Sequence, residues 1–269
     1  MAIDIEKPEL TLKHSEQVYQ LGHAIFTIKN CDDRYKDELA KLLPHYEGDL
    51  VEPVGEIETG CSRHVLDVIR QVVNLHHKQR CVWIEGICLL TPAGQKVLLA
   101  GKPQSGKSTT AMALVLRDKW KVLCENFCII DYGQNQILKF LTPAALDSKA
   151  LKILMNLGVE PAGAVPLEWR QDRVWAPLDD HIENTRIEPT FDFVFLMDRE
   201  AQDGQIFSHT AITAAEFGRK ILALSNLLKI QGSYDCLMQS LSATSCHQLS
   251  GGELVERLNV ITEAVAVRP

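Results

Sequence analysis

A turn near the middle of the chain carries the residues with the clearest chemistry. Residues 101–109 have the spacing G-x-x-x-x-G-K-[ST], which is typical of a loop that holds phosphate groups. Gly101 and Gly106 permit backbone angles that a side chain would disfavour, so successive N–H groups can point at phosphate oxygens. We therefore expect the amide groups of Gln104, Ser105 and the residues up to Thr109 to surround the phosphates. We call residues 101–109 the phosphate loop.

Two side chains of the phosphate loop complete the expected site. Lys107 would reach the β- and γ-phosphates, and the Ser108 hydroxyl would take one coordination position on Mg²⁺. An apolar run at residues 96–100 predicts a buried strand before the loop, and residues 109–116 predict a buried helix after it. The first N–H groups of that helix favour an anion. The pattern predicts that ATP and Mg²⁺ bind here.

Composition limits the classes of partner. The chain has 269 residues, 46% hydrophobic residues and a formal net charge of −7. This size and composition indicate one large domain with at most a small appendage, and the acidic charge argues against nucleic acid or an anionic membrane as a partner. No apolar run approaches the roughly 18 residues of a membrane span. The first residues lack the basic and apolar regions of a signal peptide, so we expect a cytoplasmic protein.

The eight cysteines predict free thiols, since a chain without a signal peptide is expected in a reducing compartment. Cys124 and Cys128 are the one pair with a spacing that suggests a metal site. On a single strand they would lie about 13 Å apart, too far to share one ion. We therefore expect no metal other than the Mg²⁺ that accompanies the nucleotide.

The chain divides into a small N-terminal part and a main domain. Residues 1–60 predict a β/α layer, with a strand or hairpin over residues 18–29 and a helix that begins at Asp32. An acidic, turn-rich stretch at residues 48–61 marks the boundary, so the main domain is expected over residues 61–269.

Within the main domain a helix is expected from Ser62, and two strands, at residues 81–90 and 96–100, form a hairpin that leads into the phosphate loop. Thr213 begins a capping box for a helix whose predicted buried face contains Phe217, Ile221, Leu224 and Leu228. Further strands are expected at 121–123, 126–131, 137–141 and 191–197, helices at 144–157, 233–242 and 253–264, and a long loop region at 159–190.

Phosphoryl transfer also needs a carboxylate, which would bind Mg²⁺ or accept the proton of an alcohol. Glu125 follows the β-like run Lys-Val-Leu-Cys at residues 121–124, and Asp198 follows the four apolar residues 194–197. The pattern of four apolar residues before Asp198 fits a conventional nucleotide hydrolase. The position of Glu125 soon after Lys107 would set its carboxylate beside a γ-phosphate.

The hairpin, the short helix and residues 120–130 (Trp-Lys-Val-Leu-Cys-Glu-Asn-Phe-Cys-Ile-Ile) resemble the HPr kinase/phosphorylase family and its uncharacterised relatives. That family shares its core with ATP-dependent phosphoenolpyruvate carboxykinase. The resemblance implies an α/β fold with a mixed β-sheet around the phosphate loop, as in the C-terminal domain of those kinases. A small N-terminal β/α layer and a helical C-terminal third would complete it.

The family places an Asp-Asp pair where this chain has Glu125 and Asn126. The resemblance implies that Glu125 accepts the proton of the acceptor hydroxyl and helps to hold Mg²⁺, and that Asn126 assists the metal. The family also has His-Gly near the position of Glu85 and Gly86. These departures change residues that are catalytic in the family. An alternative expectation is therefore a regulatory module that senses ATP without transferring phosphate.

The favoured expectation is an ATP-dependent kinase that acts on a hydroxyl acceptor, either a protein serine or a small molecule. Asp198 would instead serve a conventional nucleotide hydrolase. Arg170, Arg173 or Arg186, in the predicted loop region, could neutralise charge on the transferred group. Members of the family assemble into oligomers, so a homo-oligomer is also expected from the resemblance.

A short segment near the C-terminus resembles another motif. Leu249-Ser250-Gly251-Gly252-Glu253 is similar to the signature loop of ABC ATPases, but no apolar run ending in Asp follows it. A glycine turn that leads into an amphipathic helix with Leu254, Leu258 and Ile261 on one face explains the segment.

Overall fold

The chain forms two compact units, residues 1–75 and residues 76–269. The computed structural model describes residues 17–21, 24–29, 55–58, 81–139, 141, 144–167, 170–176, 187–199 and 206–267. The acidic, turn-rich stretch in the sequence predicts a boundary after residue 60, whereas the compact units divide after residue 75.

The described part of the first unit is a three-stranded sheet. Strands β1 (Gln17–Leu21) and β2 (Ala24–Lys29) form an antiparallel hairpin, and β3 (Gly55–Glu58) pairs parallel to β2. The strand or hairpin predicted over residues 18–29 is therefore a hairpin. The helices predicted from Asp32 and Ser62 lie outside the described residues.

An eight-stranded mixed sheet forms the centre of the second unit, in the order β13-β14-β12-β5-β4-β7-β8, with β6 also paired to β4. The strands are β4 (Cys81–Leu90), β5 (Lys96–Gly101), β6 (Lys121–Cys124), β7 (Phe127–Asp131), β8 (Gln136–Leu138), β12 (Phe193–Asp198), β13 (Phe207–Ile212) and β14 (Ser245–Gly251). Strands β5, β12 and β14 are parallel to one another, and the other pairings are antiparallel. The predicted α/β class with a mixed sheet is confirmed.

The hairpin that leads into the phosphate loop is present as predicted. Leu90 pairs with Lys96 across the turn, and β5 is buried from its second residue to Gly101. β4 and β12 pair with the two edges of β5, and its side chains are buried on both faces, which explains its continuous apolar run.

Five α-helices surround the sheets in the described residues: α1 (Lys107–Asp118), α2 (Ser148–Asn156), α3 (Ala214–Ile221), α4 (Ser233–Ser240) and α5 (Leu254–Ala266). α1 and α5 contact each other, and both contribute to the main hydrophobic core. Phe193, Phe195 and Met197 of β12 lie in this core. Residues two apart on a strand share a face, so this face of the sheet is the one that α1 and α5 cover.

The prediction of a helix over residues 144–157 is wrong at its start. Residues Ala144–Asp147 form strand β9, and α2 begins only at Ser148. The Asp147 carboxylate accepts a hydrogen bond of 2.7 Å from the Ala150 amide, so Asp147 is the N-cap. Pairing between β9 and residues Arg170–Ala176, which form strand β11, overrides the helix propensity of the two alanines. Gly158, at φ 69°, follows the helix as predicted.

The predicted loop region at 159–190 is also wrong in part, because it contains two strands. β10 (Val165–Leu167) and β11 (Arg170–Ala176) join β9 in a three-stranded antiparallel sheet. Arg170 and Arg173 therefore belong to a strand, while Arg186 lies outside the described residues. Residues 177–186 lie outside them as well.

The C-terminal third is less helical than predicted, since it also contains β14. The capping box at Thr213 is confirmed. The α-helix ends at Ile221, and two separate 3-10 turns, Leu222–Leu224 and Leu227–Lys229, follow it. Leu228, placed on the buried face by the sequence pattern, is 79% exposed because the helix has ended before it.

Among the described helices, none combines the length and the apolar composition that a membrane span requires.

Six cysteines fall in the described residues, and all six are free thiols, as predicted. Cys88, Cys124 and Cys128 form a buried cluster on β4, β6 and β7. Hydrogen bonds within that cluster raise the pKa of Cys128, and burial adds to the effect. The Cys128 thiol therefore stays protonated and unreactive at neutral pH.

A histidine pair on β13 and β14 predicts a pH-dependent stability. His209 and His247 share a hydrogen bond of 3.0 Å, and His247 stacks on Phe195. Burial, assisted by His209, lowers the pKa of His247 below its ordinary 6.5. Its stabilising contribution is thus fully present above pH about 6.5 and is lost as pH falls through the lower pKa of the folded protein.

Urea unfolding at several pH values between 7 and 5 should show the free energy of unfolding falling towards acid pH. The fall should be shallower in His247→Gln, which cannot take up the proton. Equal pH slopes for the two proteins would contradict the prediction.

Candidate functional site

The phosphate loop lies where the sequence analysis placed it, between the end of β5 and the start of α1. A Cβ added to Gly101 would lie 2.3 Å from the Met197 carbonyl oxygen, so the neighbouring strand leaves no room for a side chain. Gly106 has φ 92° and forms the N-cap of α1. Both positions therefore need glycine, Gly101 for close approach of β12 and Gly106 for its left-handed backbone.

The Lys107 side chain folds back along the phosphate loop. Its ammonium donates hydrogen bonds of 2.6 Å to the Gly101 carbonyl and 2.8 Å to the Lys102 carbonyl. Burial lowers the pKa of Lys107, while the nearby carboxylates of Glu85 and Glu125 act to raise it. The lysine is thus a buried cation between the loop and two acids.

Glu125 lies beside the start of α1. Its carboxylate is fully buried and accepts a hydrogen bond of 3.0 Å from the Ser108 hydroxyl. The structure therefore brings together Lys107, Ser108 and Glu125, three of the residues that the sequence analysis assigned to the site.

A break between β6 and β7 explains how Glu125 reaches that position. Both strands pair with β4, and Glu125 and Asn126 lie between them. Asn126 has φ 62°, and its carbonyl accepts a hydrogen bond of 3.0 Å from the Gly86 amide. Asparagine tolerates this left-handed conformation better than most residues, which gives Asn126 a backbone role beside any role towards a metal.

Asp198, the rival carboxylate, points to the other side of the sheet. Phe193, Phe195 and Met197 face the core beneath α1, so Asp198 must face away from it by strand alternation. Its carboxylate accepts a hydrogen bond of 2.9 Å from the Gln248 side chain. Gln248 in turn accepts a hydrogen bond from Lys220.

The remaining residues of the phosphate loop differ in exposure. Gln104 is exposed, has φ 66° and accepts a hydrogen bond of 3.4 Å from Arg199. Thr109 is half-buried in the first turn of α1. The Ser105 hydroxyl is buried and has no hydrogen-bond partner within the described residues.

Two residues of the site were not assigned to it by the sequence analysis. Glu85 was noted only as a departure from the family pattern, yet its alternation with Ile87 and Leu89 on β4 places it on the face that α1 covers.

Arg257 is the second of these residues, and the sequence analysis did not point to it. Its guanidinium donates a hydrogen bond of 2.5 Å to the Ser105 carbonyl. The available signal was an arginine one turn after the Gly251-Gly252 pair.

The site fits a nucleotide with a divalent cation. A glycine-bounded turn leads into the N-terminus of α1, whose first N–H groups favour an anion, and Lys107 lies buried beside it. No cluster of three or more His, Cys, Asp or Glu side chains in the described residues could hold a metal unaided. Mg²⁺ commonly takes one or two carboxylates together with substrate phosphates, so Ser108 and Glu125 are the residues that could hold it with a bound nucleotide.

The segment similar to the ABC signature forms the predicted turn into α5, but its first residues also end strand β14, which was not predicted. Gly251 and Gly252 have φ 68° and 81°, which turns the chain sharply before the helix. Leu254, Leu258 and Ile261 are buried on one face of α5.

The fold defines an α/β protein with a mixed sheet. No protein-family model matches the chain, and a search of curated proteins finds no match to it.

Proposed function

We propose that this chain is an ATP-dependent phosphotransferase, a kinase that transfers the γ-phosphoryl group of ATP to a hydroxyl group. The acceptor would be a protein serine or a small molecule. The observation that carries the proposal is the hydrogen bond of 3.0 Å between Ser108 and the buried Glu125, beside the buried Lys107. It places a carboxylate next to the hydroxyl that would hold Mg²⁺.

Each residue would have a distinct role in the transfer. Backbone N–H groups of residues 104–109 would bind the phosphates, and Lys107 would move from its carbonyl partners to neutralise their charge. Ser108, with Glu125 and Asn126, would hold Mg²⁺, which supplies charge neutralisation on the β- and γ-phosphates when bound.

The transfer itself would be a displacement at the γ-phosphorus. The acceptor oxygen forms the new bond to phosphorus, the bond to the β-phosphate oxygen breaks, and ADP leaves. The acceptor hydroxyl loses its proton to the Glu125 carboxylate, which needs only to lie within hydrogen-bond reach of it.

The geometry favours Glu125 over Asp198 for this role. Glu125 bonds Ser108, whereas Asp198 faces the opposite side of the sheet and bonds Gln248. The conventional nucleotide hydrolase that uses Asp198 is therefore the weaker proposal. The Asn in place of the family's second Asp was one reason to consider a module that only senses ATP. Because Asn126 also suits the left-handed backbone at this position, that reason is weaker.

Incubation with γ-labelled ATP, Mg²⁺ and fractionated cell extract tests the proposal. We expect label on one acceptor species, with transfer reduced at least about 100-fold in Lys107→Ala because charge stabilisation is lost. Circular dichroism would show that this variant is folded, and Lys149→Ala, a change on the exposed face of α2, is the control. Tight Mg-ATP binding without transfer to any fraction would favour the sensing module, and no binding would overturn both proposals.

A further inference from the structure

The Arg257 side chain joins the ends of three parallel strands. Its guanidinium donates hydrogen bonds to the carbonyl oxygens of Ser105 at 2.5 Å, Gly251 at 2.7 Å and Asp198 at 3.2 Å. Asp198 and Gly251 are the last residues of β12 and β14, and Ser105 belongs to the loop that follows β5. Arg257 itself is only 7% exposed.

This arrangement fixes the orientation of one peptide group of the phosphate loop. In a planar trans peptide the carbonyl and the N–H point in opposite directions, and the described residues contain no cis peptide. Because Arg257 holds the Ser105 carbonyl, the N–H of Gly106 must point away from the guanidinium. Gly106 is half-buried and Arg257 is buried, so this N–H lies on the side of the peptide group opposite the buried guanidinium.

The close contact between Arg257 and Gly106 supports the same conclusion. A Cβ on Gly106 would lie 2.7 Å from the Nη1 atom of Arg257, so the guanidinium lies directly against the loop backbone. Its positive charge therefore lies next to the backbone of the phosphate loop and adds to the attraction of that loop for an anion.

We propose that Arg257 is a positioning residue of the nucleotide site, which holds the phosphate loop in its binding conformation from the last helix of the chain. This inference rests on the proposed binding of ATP by that loop. Arginine suits the task because its planar fork presents five N–H donors at fixed angles, whereas a lysine ammonium is compact. The glycine turn at residues 251–252 contributes to this positioning, because the turn directs the start of α5 back towards the phosphate loop.

Titration of Mg-ATP into Arg257→Lys tests the inference. The variant keeps the positive charge but cannot reach three separated carbonyls, so the Kd should rise about 10- to 100-fold. Arg257→Gln, which also loses the charge, should bind at least as weakly. Ile261→Val, a small loss of core packing in the same helix, is the matched control for lowered stability and should leave the Kd within about twofold.

A further measurement separates positioning from general stability. In Arg257→Ala, millimolar guanidinium should restore part of the Mg-ATP affinity, because the free cation can occupy the vacated space, whereas Ile261→Val should not respond. If wild type binds Mg-ATP and Arg257→Lys, folded by circular dichroism, binds it within about twofold, the inference is overturned. If wild type itself binds no Mg-ATP, the proposed function fails first, so the two failures are distinct.

Discussion

Glu125→Gln is expected to lower the rate of phosphoryl transfer by about 10²- to 10⁴-fold while Mg-ATP still binds. Glutamine has the shape of glutamate, and its amide oxygen can accept the hydrogen bond that Ser108 donates to Glu125 at 3.0 Å. It cannot take a proton from an acceptor hydroxyl, and as a neutral ligand it should hold Mg²⁺ more weakly than the carboxylate. The loss on the chemical step is therefore measured as single-turnover transfer of label at saturating Mg²⁺ and γ-labelled ATP.

Asp198→Asn is the matched control, because it makes the same change of acid to amide at the rival carboxylate. Its amide oxygen can still accept the bond that Gln248 donates at 2.9 Å, so transfer should change less than about threefold. A loss of activity in Asp198→Asn, with normal activity in Glu125→Gln, would transfer the catalytic role to Asp198. Loss in neither variant would remove both carboxylates from the mechanism.

The parts of the fold predicted correctly from the sequence are those with local causes. The run of apolar residues in β5, the turn that joins it to β4 and the spacing of the phosphate loop all lie within a short stretch of chain. The capping box at Thr213 is also local, since it depends on a residue three positions away. Such elements can be predicted because the residues that determine them are neighbours in the sequence.

The errors fall where distant pairing decides the structure. Residues Ala144–Asp147 have the composition of a helix start, but they pair with β11 about thirty residues later. An arginine in the first turn of α5 resembles any solvated surface arginine. Its burial depends on the Ser105 carbonyl, 152 positions away in the chain, and no local pattern contains that information.

The candidate site divides in the same way. Lys107 and Ser108 belong to one spacing, which predicts both, and Glu125 is predicted from its position soon after Lys107 at the end of a strand. The choice between Glu125 and Asp198 needed the alternation of β12 relative to the core, since by pattern alone Asp198 fitted better. Glu85 needed the pairing of β4 with β5, which sets the face on which its side chain lies.

Gly101→Ala is expected to lower the free energy of unfolding by about 3 kcal/mol or more and to abolish Mg-ATP binding. The added Cβ would lie 2.3 Å from the Met197 carbonyl oxygen and 2.9 Å from the Ser105 hydroxyl. Gly101 and Met197 are paired in the parallel ladder of β5 and β12, so relief requires these two central strands to separate. A flexible side chain could move aside at low cost, but a carbonyl held in a sheet cannot.

Gly94→Ala separates this steric effect from backbone strain. Gly94, in the turn between β4 and β5, has φ 85°, but a Cβ added there would meet nothing within 4 Å. Its cost should be only that of an alanine in the left-handed region, about 1–2 kcal/mol, with Mg-ATP affinity unchanged. Urea unfolding followed by tryptophan fluorescence would compare the variants. Equal losses in both would mean that β12 does not approach Gly101 as closely as the structure has it, and the phosphate loop would then lack its rigid support.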